Sequence, residues 1–159
     1  MNTRQVCTAG CIVLLLLSNS APASLGVISL EELTCKADLI VYGTVASVES
    51  NESERKMRPG NVPIPIAVVR ISSKTILKGA ATDPIIVKAV ENMEDSPKFE
   101  QGQEVFLFLT QNADDSSFSV FGLTQGKFDV EDGLVVREQM PVAQFAEKVE
   151  ELIRIQNAN

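Results

Sequence analysis

Beyond residue 37, apolar and polar positions mostly follow the two-residue period of β-strands. Residues 39–48 are largely β-branched or aromatic around a glycine, which predicts one long strand bent or bulged at Gly43. A second strand is predicted over about 64–77, and a short third over 85–90. In the second strand, alternation places four residues on one side: Val69, Ile71, Thr75 and Leu77. The run 105–109 has no polar face, which predicts a central strand covered on both sides.

Two hairpins and two helices complete the predicted elements. The turn at 112–116 leads into a strand at 118–121, and the Asp132-Gly133 step favours a tight hairpin between 127–130 and 134–136. Ser29 followed by two glutamates predicts a short capped helix within 28–37. Apolar residues at helical spacing predict a packing helix over 141–157, with Pro141 in its first turn.

These elements predict a mainly β fold. Short strands of uneven length, with a bent first strand, are typical of a five- to six-stranded curled sheet or small barrel. The short first helix precedes it, and the last helix packs against it. We expect one domain over 24–159, a length that buries most of its apolar surface without outside help.

The first 23 residues have the pattern of an export signal. Arg4 is their only charge, an apolar run follows from Cys11 to Leu17, and small residues stand at Ala21 and Ala23. The run is far shorter than the roughly 20 residues that cross a bilayer, so no permanent membrane anchor is predicted. We therefore expect cleavage near Ala23 and a secreted or periplasmic product.

The amino-acid composition disfavours several kinds of ligand and catalytic site. The chain has 14 basic and 21 acidic residues, so its net charge of −7 disfavours nucleic acid and anionic lipid. It has no histidine, the usual general base and commonest metal ligand, and no phosphate-binding glycine motif. We expect no catalytic residue, metal or cofactor. Acidic clusters at 94–95, 114–115 and 129–132 are interpreted as solvated turns, over calcium ligands or paired glycosidase acids.

One cysteine, Cys35, remains if Cys7 and Cys11 leave with the signal. No disulfide is then expected, and Cys35 is predicted to be unpaired. We expect a small buried residue at the junction of helix and strand. The alternative is a reactive or intermolecular thiol.

The segment from Ser50 to Pro63 is charged, contains Pro59-Gly60 and lacks apolar periodicity, which predicts a long mobile loop. It holds three basic residues in an otherwise acidic chain, and these form the candidate binding site: Arg55, Lys56 and Arg58. The alternative is a solvated hairpin connection with no partner.

Three short motifs carry a family resemblance. Cys35-Lys36-Ala37-Asp38 leading into an apolar strand, the strand end Leu77-Lys78-Gly79, and the glycine turn before Val105 resemble tissue inhibitors of metalloproteinases. The likeness spans about residues 35–123 and implies a netrin-like module with an oligonucleotide/oligosaccharide-binding (OB) type barrel. It also implies binding of other proteins through loops at one edge.

The inhibitors' mechanism does not carry over. In that family an amino-terminal cysteine, held by disulfides, binds the protease zinc, whereas Cys35 has eleven residues before it if the mature chain begins at Ser24. We therefore expect an exported, non-enzymatic module that binds an extracellular or periplasmic protein. Alternatives are a structural or assembly component of the cell envelope and, less favoured, an uncharacterised hydrolase.

Overall fold

The computed structural model describes residues 26–53 and 64–158 of the chain. Two α-helices, eight β-strands and one 3-10 helix lie within these residues. The helices are α1 (Leu30–Lys36) and α2 (Val142–Asn157), and the 3-10 helix spans Leu123–Gly126. The strands are β1 (Leu39–Ser53), β2 (Ile64–Lys78), β3 (Ile85–Val90), β4 (Glu104–Gln111), β5 (Phe118–Val120), β6 (Lys127–Glu131), β7 (Leu134–Val135) and β8 (Met140–Pro141).

Five of these strands close into a barrel. β1 pairs antiparallel with both β2 and β4, and β2 pairs antiparallel with β3. β5 completes the ring, since it lies parallel to β3 and antiparallel to β4. The order around the barrel is therefore β1-β2-β3-β5-β4, which is compatible with an OB-like fold. The strands β6, β7 and β8 extend the sheet from the first half of β4.

The bend in β1 makes this closure possible. The β1 to β2 register shifts at three places, one of them between Tyr42 and Gly43. A β-carbon added at Gly43 would lie 2.4 Å from the carbonyl oxygen of Ser72, so only glycine allows the two backbones to approach this closely. The prediction of a strand bent or bulged at Gly43 is confirmed.

Alternate residues of β4 enter two separate cores, as expected for a strand covered on both sides. Val105, Leu107 and Leu109 point into the barrel, where they form the inner core with side chains of the other four strands. Phe106 and Phe108 point outward into the outer core, beneath the helices. All five are fully buried. Each contributes about 1.5–3 kcal/mol by leaving water.

The two helices close the outer core. Ser29 caps α1, with its hydroxyl accepting a hydrogen bond from the backbone nitrogen of Glu32 at 3.2 Å, as predicted. Phe145 and Val149 of α2, one helical turn apart, are fully buried in this core. The prediction for Pro141 was wrong by one position: it occupies the N-cap position and pairs with Leu134.

The hairpins match their sequence signals. The Asp132-Gly133 turn has positive φ angles of 49° and 76°, the conformation that tight two-residue hairpins require. The hairpin between β4 and β5 also forms as predicted. The predicted side of Leu77 was wrong, because Leu77 packs against the outer core whereas Val69 and Ile71 face the inner core. The intervening register shifts explain this change of side.

The predicted loop began too early. β1 continues to Ser53, and its pairing with β2 runs without interruption to the Ser53 and Ile64 pair. The central part of the predicted loop, 54–63, and the predicted signal, 1–23, lie outside the described residues. In the part of the chain that the structure describes, neither helix is long and apolar enough to cross a membrane.

Candidate functional site

The barrel is taller on one side than on the other. β1 and β2 contain 15 residues each, whereas β4 contains eight and β5 three. Residues 47–53 of β1, 64–69 of β2 and 88–90 of β3 therefore project past the strands that close the barrel. We refer to these three stretches as the wall. Its inner face continues the inner face of the barrel.

A groove of about 500 Å³ lies against the inner face of the wall. Its floor is apolar and contains Val48, Ala67 and Ala89, one residue from each strand of the wall. Met93 and Phe99, from the chain that joins β3 to β4, form its opposite side. Val48 is 37% exposed and Met93 49% exposed, so apolar surface remains open to solvent here.

The connection from β3 to β4 is anchored at both ends of the groove. The backbone nitrogen of Glu91 donates to the carbonyl of Pro65 at 2.9 Å, which continues the pairing of β3 with β2. Ser96 is 5% exposed, and its nitrogen donates to the carbonyl of Met93 at 3.2 Å. Phe99 packs against the inner core. The groove is thus bounded by chain that is tied to the barrel at Glu91 and at Phe99.

The rim of the groove is polar. Its charged residues are two acids, Glu91 and Glu94, and one base, Lys98. The Ser50 hydroxyl donates to Oε2 of Glu91 at 2.7 Å, across the inner face of the wall. An apolar floor with a polar, mainly acidic rim has the general character of a site for another molecule.

A second cavity, of about 540 Å³, lies between β3 and the loop that joins β4 to β5. Lys88 of β3 forms an ion pair with Asp115 of the loop, and the Ser117 backbone nitrogen donates to the same carboxylate at 2.9 Å. Lys88 and then Ser117 lower the pKa of Asp115 to about 2. A carboxylate held ionised in this way anchors the loop and is poorly suited to donate a proton.

A cluster on the outer surface crosses three strands. Tyr42 donates its hydroxyl to Oε2 of Glu104 at 2.5 Å, Lys74 pairs with the same carboxylate, and the Tyr42 ring stacks on Phe106 with centroids 4.7 Å apart. Burial and then Glu104 raise the pKa of Tyr42, whereas Lys74 and then Tyr42 lower the pKa of Glu104. Both shifts favour the resting protonation states, so this cluster is suited to joining strands.

A third cavity, of about 340 Å³, contains a nearly buried cation. The Lys127 side chain is 8% exposed and pairs with Asp129, and its amine lies 5.4 Å from the centre of the Phe99 ring. Oδ1 of Asp129 also accepts from Nε2 of Gln103 at 2.9 Å. Every group in this set is paired with a neighbour, so the cluster fixes β6 against the β3 to β4 connection.

The structure describes only some of the predicted site residues. Arg55, Lys56 and Arg58 lie outside the described residues, although the chain leaves β1 at Ser53 and re-enters β2 at Ile64, at the top of the wall. The acidic clusters form no metal site, because no three His, Cys, Asp or Glu residues among 26–53 and 64–158 are grouped to hold an ion.

Cys35 was expected to be buried, and this was wrong. It lies in the last turn of α1 as an exposed free cysteine. Leu33 and Ala37, four residues apart, form the side of this segment that packs into the outer core. Cys35 falls between them in sequence and so points to the other side.

The groove residues were not identified from the sequence. Val48, Met93 and Phe99 come from segments with no shared motif. The groove exists only because β1 and β2 extend beyond the end of β4. The one signal in the sequence was the strand pattern of 64–69, which precedes the part of β2 that pairs with the β4-bound residues of β1. No known protein-family model matches the chain, and no curated protein sequence matches it.

Proposed function

We propose that this chain is an exported, non-enzymatic binding module that holds a partner protein at the open end of its barrel. The observation that carries the proposal is the groove, where apolar residues of the inner sheet face stay exposed. Apolar surface that a protein leaves open beside polar residues commonly marks an interaction site. The predicted signal at 1–23 supports a secreted or periplasmic location for the module and its partner.

Binding is supported over catalysis by the groups near the cavities. The chain has no histidine, and Asp115, the acid whose pKa is shifted furthest among the residues that the structure describes, is shifted downward and held in an ion pair. A general acid at neutral pH needs its pKa shifted upward. The residues on the groove floor are aliphatic and supply no nucleophile.

The barrel also supports a netrin-like scaffold, which we propose without the zinc-binding mechanism of the protease inhibitors. That mechanism needs a cysteine at the chain terminus. Leu33, two residues before Cys35, is 1% exposed in the outer core. Cleavage directly before Cys35 would remove this core residue, so the fold favours a mature chain that begins earlier.

The test is capture of partners from the extracellular fraction by immobilised protein. We expect Val48→Asp and Met93→Asp to reduce the amount of the captured partner about tenfold or more, because each places a charge in the apolar groove. Ile76→Asp is the matched control, since Ile76 is also 37% exposed but lies at the opposite end of β2. Equal capture by all four proteins, at equal thermal stability, would exclude the groove.

The basic segment is tested separately. Replacing Arg55, Lys56 and Arg58 with serine removes three positive charges from the connection between β1 and β2. We expect weaker capture, most evident at low salt, because these residues contact acidic groups of the partner that lie outside the segment held in the groove. The control removes three basic residues from the helices: Lys36, Lys148 and Arg154. If the two triple variants capture equally, the segment has no specific role.

A further inference from the structure

One edge of β1 is left open along the wall. Residues 39–44 pair with β4 on this edge, and Val45 extends the ladder by donating to the Gln103 carbonyl at 2.9 Å and accepting from the Gly102 nitrogen at 2.8 Å. Beyond this point, residues 47–53 pair with β2 alone, as far as the described residues go.

The chain before β4 turns away at Gly102. Its φ angle is +86°, a conformation that glycine adopts without strain. A β-carbon at this position would meet no atom within 4 Å, so the space beside the turn is open. Among the described residues, none pairs with 47–53 on this edge of β1. A row of unpaired backbone groups in such a place is a template for another strand.

We propose that the partner docks as an extended segment paired with residues 47–53 of β1, in line with β4. This inference rests on the proposed function and specifies how the groove is used. Side chains alternate across a strand, so every second residue of the added segment points to the inner face beside Val48, and the groove receives it. The remaining residues lie on the outer face beside Ser47 and Glu49.

Charge defines the class of segment. Glu91 and Glu94 line the groove against one base, Lys98, and the whole chain has a net charge of −7. A segment with apolar residues at alternate positions and a net positive charge fits the groove and its acidic rim. On the outer face, Glu49 is already paired with Arg70 and adds no charge preference. A second copy of this chain fits less well, because pairing two β1 edges brings together two domains that each have a net negative charge.

The experiment begins with selection of random short peptides on the full mature domain, with the Val48→Asp variant used to remove peptides that bind elsewhere. We expect the selected peptides to show apolar residues at alternate positions and a net positive charge. Selection of no peptides, or of peptides without alternation, overturns the inference.

Backbone pairing is then tested by N-methylation of a selected peptide. An added strand donates to β1 only through alternate amides, so methylating one alternate set should weaken binding about tenfold or more and methylating the other set should change it little. Equal effects of the two sets overturn strand pairing. The side chains are identical in both peptides, which makes each the control for the other.

The position of the added strand is read from amide exchange. We expect the bound peptide to slow exchange at amides within 47–53 and to leave the opposite side of the wall, at 88–90, unchanged. Protection at 88–90 alone, or concentration-dependent dimers in light scattering without peptide, overturns the inference. If Val48→Asp still reduces partner capture in either case, the proposed function stands and only the mode of docking fails.

Discussion

The two apolar faces of the sheet are covered to different extents. On the outer face, α1 and α2 cover the core, and the Phe145 ring packs against those of Phe106 and Phe128 with centroids about 5 Å apart. On the inner face, the barrel encloses its core but leaves the wall uncovered at Val48. Both faces arise because side chains alternate between the two sides of each strand. The faces differ only in how much of each is covered by other parts of the chain.

This difference assigns stability and binding to different places. A covered apolar face lowers the free energy of folding, whereas an uncovered one gives little until something lies on it. Truncating side chains on the covered face should therefore mainly lower the free energy of unfolding. Truncating exposed side chains on the wall should mainly reduce partner capture.

The largest effect is expected from Phe145→Ala. Phe145 is fully buried, and its ring lies 4.9 Å from that of Phe106 and 5.0 Å from that of Phe128. We expect a loss of about 3–5 kcal/mol in the free energy of unfolding, measured by urea denaturation. Glu147→Ala, on the exposed side of α2, is the control and should change little. An unchanged midpoint for Phe145→Ala would show that the outer core is dispensable.

A cross-strand pair gives the sharpest contrast. Val69 and Val48 are register partners in β2 and β1, but Val69 is 0% exposed and Val48 37%. We expect Val69→Ala to cost about 2–3 kcal/mol of unfolding free energy, and Val48→Ala less than about 1 kcal/mol. Partner capture should show the reverse order once both proteins are folded. Similar stability losses would mean that the wall is covered in solution.

A smaller cost is expected from Gly43→Ala, which acts where the barrel closes. The added methyl group would meet the Ser72 carbonyl oxygen at 2.4 Å, so β1 and β2 must separate to accept it. We expect a loss of about 1–3 kcal/mol, typical of overpacking, again measured by urea denaturation. A variant as stable as the parent would show that the bend at Gly43 relaxes freely.

The parts of the fold predicted correctly carry local signals. The third strand at 85–90 is a largely β-branched apolar run that follows a turn, Ser29 has the chemistry of a helix cap, and Asp132-Gly133 has that of a tight hairpin. The double covering of β4 followed from its lack of a polar face. Each of these depends on residues within a few positions of one another.

The missed features depend on distant residues. The end of β1 contains glutamate, serine and asparagine, which favour loops, yet it is extended because β2 pairs with it along 64–69. The groove depends on β1 continuing to Ser53 although its pairing with β4 stops at Thr44, opposite Glu104, where β4 begins. The two strands lie far apart in sequence and are brought together only by closure of the barrel.

The smallest effect concerns the loop beside the wall and depends on pH. Lys88 and Ser117 lower the pKa of Asp115 to about 2, so the stabilising contact is complete above the ordinary aspartate pKa of about 3.9 and is lost as pH falls through about 2. We expect the Ser117 amide resonance to shift over this range, and Asp115→Asn to shift it at neutral pH. Asp114→Asn is the neighbouring control. A Ser117 resonance that changes neither with acid nor in Asp115→Asn would show that the loop is held in place without the ion pair to Lys88.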